Sequence, residues 1–407
     1  MRRALNRELV IVIIVMGLGV LAMSILQPVL PLYLTSIGVS PEVLGLMFST
    51  AMLGMVLGES SWGWVADKTG LRLPLTMGTA ISGLLVLCFA FAHSVPLIFL
   101  IFFVWGTLRS ALFGPGRGYI GATAPPLRKA TFMAIISVML SVSRSIGALP
   151  SGFIVDTWGY DAVFFVSCGI ALLGGMLVLL GLRRPPSPET ASVKDTTEWP
   201  GSLLSSAAPV YRPLVPQCLV ATLQFLGLGI FMTFLPLLAT QEVGVSATEV
   251  GILFTIGGIA MVVLGIPMGM LADRVGKKAL MMTGLAVSAG ALAGTAFAGS
   301  YAMLMVFVIL RSAGMAMFSP AALGLLSDSV PVRRQSTVMG IYGGVCENTG
   351  IIAGSALGGV IWSTWGPQMT FITGTVSACL GVVLCLFLVR ARQPALSASG
   401  SSASDCC

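Results

Sequence analysis

Charge is what this chain has least of. Only 9% of its 407 residues are Asp, Glu, Lys or Arg, whereas soluble domains carry roughly 25%. With 56% hydrophobic residues and a mean hydropathy of +0.97, it lacks the polar surface that water requires. It is therefore read as an integral membrane protein. Histidine is nearly missing, and His93 alone excludes His-rich metal sites and offers no triad. The eight cysteines show no Cys-x-x-Cys or other metal spacing; Cys88, Cys168, Cys218, Cys346, Cys379 and Cys385 lie in apolar stretches and read as small hydrophobes. No Gly-rich phosphate loop with its Lys occurs, which disfavours an ATP-driven pump. The 49 glycines are spread through apolar segments, where they serve helix packing. Neither enzyme chemistry, a cofactor nor a metal is expected. The net charge of +7 is placed in loops beside anionic lipid and not on a nucleic-acid-binding face.

What is present is a succession of apolar runs. About 20 apolar residues cross a bilayer core of roughly 30 Å. Twelve spans are placed at 9–34, 42–66, 72–92, 95–118, 130–156, 160–182, 213–240, 247–271, 278–298, 301–327, 335–363 and 367–390. The first follows Arg2, Arg3 and Arg7 but is too long for a signal peptide, and no small-residue cleavage site follows it. An all-α membrane protein results, with a six-helix bundle over 1–182, a cytoplasmic linker over 183–212, a second six-helix bundle over 213–392 and a disordered tail over 393–407. Of 22 Lys and Arg, 18 fall in alternate connections and at the termini, and the opposite loops have none. Both termini are therefore expected in the cytoplasm.

The two bundles repeat each other. Gly63–Arg72 and Gly269–Lys278 share the pattern G-x-x-x-D-[KR]-x-G-x-[KR] at an offset of 206 residues. Leu108-Arg109-Ser110-Ala111 resembles Leu310-Arg311-Ser312-Ala313, and Thr157-Trp158-Gly159 matches Thr364-Trp365-Gly366. In the charged turn, Gly70 and Gly276 suit the positive φ that ends a helix sharply. Gly63 and Gly269 suit close approach of a neighbouring helix. Asp67 and Asp273 can face the N-terminus of another helix, where unpaired N–H groups favour negative charge. Lys68, Arg72, Arg274, Lys277 and Lys278 hold the turn on the cytoplasmic side.

These paired turns resemble the signature loops of the major facilitator superfamily, most closely its twelve-helix drug:proton antiporters. The resemblance covers about residues 9–390. It implies two parallel repeats with a substrate site between them near the midplane. It also implies latch contacts, Asp67 with the start of span 11 around Gln335–Val338 and Asp273 with the start of span 5 around Ala130–Phe132. The antiporter motif of the fifth span departs from the family pattern, reading Gly147-Ala148-Leu149-Pro150-Ser151-Gly152.

Charges inside apolar spans are expensive and mark function. Glu347 and, nearer the cytoplasm, Glu59 are the candidates for proton coupling. Arg109, Arg311 and Arg144 are cavity candidates, with Trp105 and Phe231 as apolar lining; Phe225 and Phe234 share the helix of Phe231. Arg117 reads as a snorkelling residue. The expected function is alternating-access, proton-coupled efflux of a small, partly apolar compound. The alternatives are a transporter of an anionic metabolite and a membrane scaffold or sensor that moves no solute. Expected partners are a small-molecule substrate, protons and lipid, with the protein a monomer in the plasma (inner) membrane.

Overall fold

Apolar runs without side-chain hydrogen-bonding groups can satisfy their backbones in lipid by forming helices, and all regular structure among the described residues is helical. A computed structural model describes residues 7–92, 94–116, 119, 129–182, 214–329, 338–339 and 341–389, and within these every side chain except those of Ser60, Asp67, 129–138 and Asp273. The expected linker and tail, His93, Arg117 and both latch contacts lie wholly or partly outside that set. Among the described residues ten helices are long and apolar enough to cross a bilayer. The described residues of the fifth and eleventh expected spans are helical as well.

The first span is α1 (Arg7–Leu26) and α2 (Leu30–Ser36). It breaks where Pro28 removes a backbone donor, and Pro31 starts the second piece. Next come α3 (Pro41–Thr69), α4 (Arg72–Thr76) and α5 (Ser82–Phe91), the last two joined by a π-helical turn, Met77–Ile81. Then follow α6 (Val95–Ser110), α7 (Lys129–Trp158) and α8 (Tyr160–Gly181). The second set runs α9 (Leu214–Gln241), α10 (Ala247–Val275), α11 (Lys277–Ala296) and α12 (Tyr301–Ser329). A second π-helical segment, Tyr342–Glu347, leads into α13 (Asn348–Trp365), and α14 (Pro367–Leu388) completes the order.

The repeat is visible in the backbone. The six described glycines with positive φ form three pairs: Gly38 with Gly244, Gly70 with Gly276, and Gly159 with Gly366. Each ends a helix or a turn at the same place in its half, and no other described residue takes positive φ. Gly70 (φ 77°) and Gly276 (φ 103°) cap α3 and α10 as expected.

The halves grip each other at the end of the bundle away from the basic turns. Gly45 on α3 lies against the Ser355 carbonyl and Gly359 of α13, and Ser49 Oγ donates to the Ile352 carbonyl at 2.8 Å. On the other side, Gly152 of α7 meets Ala247 of α10, and Thr255 Oγ1 donates to the Ser145 carbonyl at 3.2 Å. Asp156 accepts from the Thr248 backbone N–H (2.9 Å) and hydroxyl (2.5 Å). Among the described residues, a Cβ placed on Gly63 or Gly265 would meet no atom within 4 Å, and one on Gly269 would meet only Pro320 of its own half at 3.9 Å. Among the described side chains the tight crossings between the halves are at Gly45 and Gly152; the expected partners of Gly63 and Gly269, at the starts of spans 11 and 5, lie outside the described side chains.

One further correction concerns sulfur. Cys218 of α9 and Cys346 of the π-helical segment are joined as a disulfide, with Cα atoms 5.4 Å apart. Cys88, Cys168, Cys379 and Cys385 are free. Spacing of 128 residues carried no hint of this pairing.

Candidate functional site

Between the halves lies a cavity of about 260 Å³. The first half lines it with residues of α1, α3, α6 and α7 and of the turns after α1 and α6, including Met23, Gln27, Phe48, Met52, Met55, Trp105, Arg109, Phe113 and Arg144. The second half contributes Leu228, Met232 and Thr233 from α9 and Asn348, Ile351 and Ser355 from α13. The break after α1 delivers Gln27, whose amide donates across the junction to Met232 Sδ at 2.9 Å. No Asp or Glu is among the described lining residues.

Arg109 and Trp105 lie one helical turn apart on α6, so both face the same way. The guanidinium carbon is 5.1 Å from the indole centroid, a cation–π distance. Phe89 and Phe102 meet the indole edge-on at 6.2 and 6.3 Å and fix that platform. Arg109 Nη2 reaches Met55 Sδ at 3.8 Å, while its Nε is buried with no hydrogen-bond partner. Arg144, on α7, is exposed on the cavity wall.

The remaining candidates lie elsewhere. Arg311, expected in the cavity, is sealed inside the second half with 2% of its surface exposed. It donates to Ser288 Oγ at 3.2 Å and lies 6.0 Å from the ring centre of Phe231. Phe231 is likewise core and not lining, as are Phe225 and Phe234, the last stacked on Trp362 at 5.4 Å. Glu347 is half-buried at the end of the π-helical segment, one residue before cavity-lining Asn348. The same segment buries Tyr342, whose hydroxyl has no partner. Glu59 is half-buried too and packs against Gly114.

Around the signature turns the cations have specific tasks. Arg72 Nη2 donates to the Leu179 carbonyl at 2.9 Å, and Lys278 Nζ donates to the Leu386 carbonyl at 2.8 Å. Each caps the last turn of the final helix of its half, where unpaired carbonyls and the helix dipole favour a cation. Lys277 pairs with Asp328 at 2.6 Å, and Lys68 lies over the Trp64 ring at 3.8 Å. Arg274 is exposed. The sequence placed these residues at the turn but not on their acceptors, which come from helices about 107 residues away. Gln27, Asn348, Thr233 and Ser355 were also missed as lining, although polar side chains in apolar spans are the signal that marks them.

A family model described as Major Facilitator Superfamily matches residues 12–215 and 217–404. The multidrug resistance protein MdtG of Klebsiella pneumoniae is 25% identical over 169 residues, 40% of each chain. The MdtG of Serratia proteamaculans is 27% identical over 173 residues, 41% of this chain and 42% of the relative. The chain thus spans about two fifths of the length of these curated relatives. Among solved structures, the nucleoside transporter NupG superposes with a TM-score of 0.75 at 14% identity, covering 94% of this chain and 98% of the other. A bacterial homologue of the human lysosomal transporter Spinster, inward-facing and occupied, gives 0.76 at 13%, covering 95% and 97%. A D-xylose-proton symporter gives 0.74 at 16%, covering 94% and 96%. These likenesses establish the fold, and the family model takes in nearly all of both halves around the cavity. The chain is an integral membrane protein and belongs to the Major Facilitator Superfamily.

Proposed function

We propose that this protein exports a small, partly apolar compound in exchange for protons, alternating between two conformations. The observation that carries this reading is a cavity lined by both halves, which grip each other at one end. Its volume of about 260 Å³ lies just below the usual range of roughly 300–1,000 Å³ for ligand pockets, which suits a small substrate. Met23, Met52, Met55 and Met232 give it an adaptable, polarizable wall. With the basic turns cytoplasmic, the gripped end is external and the protein faces inward, the side on which an exporter loads. The relatives named as multidrug resistance proteins agree with this direction.

Glu347 is the coupling carboxyl in this reading. A carboxyl whose surroundings change between two conformations can take up a proton in one and release it in the other. The test uses proteoliposomes with an imposed pH gradient and a panel of partly apolar acids, amines and neutral compounds. At least one compound is expected to move against its gradient, and Glu347→Gln should abolish that movement while leaving downhill exchange intact. Gradient-driven transport in Glu347→Gln removes the coupling role, and a panel in which nothing moves overturns the export reading.

A further inference from the structure

At the gripped end, α7 of the first half and α10 of the second touch backbone to backbone, Gly152 against Ala247 and Gly251 against the Ala148 carbonyl. One turn beyond Gly152, Asp156 reaches over the start of α10. It accepts from the Thr248 backbone N–H at 2.9 Å and from the Thr248 hydroxyl at 2.5 Å. That helix already caps itself: Ser246 Oγ takes the Glu249 N–H, and Glu249 takes the Ser246 N–H. A capping box leaves the N–H groups between its two members unpaired, and the one at Thr248 goes to a carboxylate of the other half. The helix dipole favours negative charge there. The duplicated seam, where α3 meets α13, is built differently. Ser363 stands in the place of Asp156, just before the repeated Thr-Trp-Gly, and its hydroxyl donates to the Val360 carbonyl of its own helix at 3.0 Å. In the place of Thr248, α3 carries its own acid, Glu42, in its first turn.

We propose that Asp156 is a latch between the halves, holding the gripped end closed and letting go of α10 whenever that end opens; this rests on the alternation between two conformations in the transport reading above. The contact has the strength that such a part requires. Asp156 is exposed and borders a cleft of about 360 Å³ that it shares with Tyr160 of its own half and Thr240 and Gln241 of the other. Charged contacts in water are weak, so this one biases the closed form without locking it. Glycine lets the two backbones meet, and the carboxylate sets how long they stay together.

Spin labels at Ile37 and Thr364, both exposed, report the duplicated seam, so fraying at the start of α10 alone does not move them. In the purified full-length protein, Asp156→Ala should raise the ratio of long to short distances by about fivefold, the size of one lost helix cap. Asp156→Asn, which keeps an acceptor and loses the charge, should raise it less, as should Thr248→Val, which loses the hydroxyl and keeps the N–H. Ser363→Ala should leave it unchanged. Each variant is measured alone and combined with Gly45→Val, whose added side chain meets the α13 backbone and enlarges the open population. A ratio unchanged by Asp156→Ala in both backgrounds overturns the proposal, even where the thermal midpoint falls, because Asp156 is then a cap and nothing more. An equal rise in Ser363→Ala overturns it too. Should Asp156→Ala fail to fold, Asp156→Asn carries the same test. Proteoliposomes separate this from the transport reading. A ratio that rises as expected in a protein that moves no compound keeps the latch and overturns transport. Gradient-driven transport with an unmoved ratio does the reverse.

Discussion

Arg109 and Arg311 occupy the same place in a repeated Leu-Arg-Ser-Ala stretch, yet their surroundings differ. Arg109 faces the cavity, whereas Arg311 is enclosed. Ser288 Oγ receives both Arg311 Nη1 at 3.2 Å and the Gln224 amide at 2.9 Å. Arg311 Nε and Nη2 and Gln224 Oε1 are left without partners. A buried charge this poorly paired is a burden on the fold. Arg311→Met, which keeps the volume and removes the charge, should therefore leave the thermal midpoint unchanged or raise it. Ser288→Ala, which strips the shared acceptor and keeps the charge, should cost about 1–3 kcal/mol. Denaturation of both variants in detergent checks this; a lower midpoint for Arg311→Met would show that the cation is needed where it lies.

At the scale of helices, the closed end depends on glycine. Gly45 lies against the backbone of α13 and Gly152 against that of α10, so neither neighbour can swing aside as a side chain would. A Cβ at either point forces whole helices apart. Overpacking costs typically about 1–3 kcal/mol, enough to move a two-state equilibrium by roughly fivefold to 150-fold. Gly45→Val is expected to shift the population toward the conformation open at this end. Spin labels at Ile37 and Thr364, both exposed there, should move further apart. An unchanged distance distribution in a folded variant counts against a glycine-built gate. The π-helical segment Tyr342–Glu347 belongs at this scale too. It carries the disulfide to α9 on Cys346 and sets Glu347 and Asn348 at the cavity edge.

For the whole molecule, orientation follows from where the basic residues fall. Ser36, Asp161 and Ser300 are exposed at the end opposite the signature turns, and Ser192 lies in the expected linker. Cysteines introduced at the first three should react with an impermeant thiol reagent in intact cells, and one at Ser192 should not. Labelling at Ser192 from outside would reverse the orientation and, with it, the loading side. In the export reading proposed above, labelling of the first three sites from outside puts the gripped end on the external side and the loading side in the cytoplasm.

Fold class was legible in the sequence because it depends on local quantities. Apolar run length sets the number of helices, and lipid leaves the backbone no alternative to them. Duplication was legible because glycines needing positive φ recur at the same register, 70 with 276 and 159 with 366. The site was legible only in part. Arg109, Arg144 and Trp105 stood out as rare polar or aromatic residues in apolar spans, and the cavity holds all three. Tertiary structure alone decided that Arg311 and Phe231 are enclosed, although hydropathy and repeat position make Arg311 the twin of Arg109. It alone joined Cys218 to Cys346 and aimed Arg72 and Lys278 at carbonyls of distant helices. The reason is geometric. Which face of an all-apolar helix turns inward is set by the helices packed around it, and a helix that is hydrophobic all round carries no pattern to announce that face.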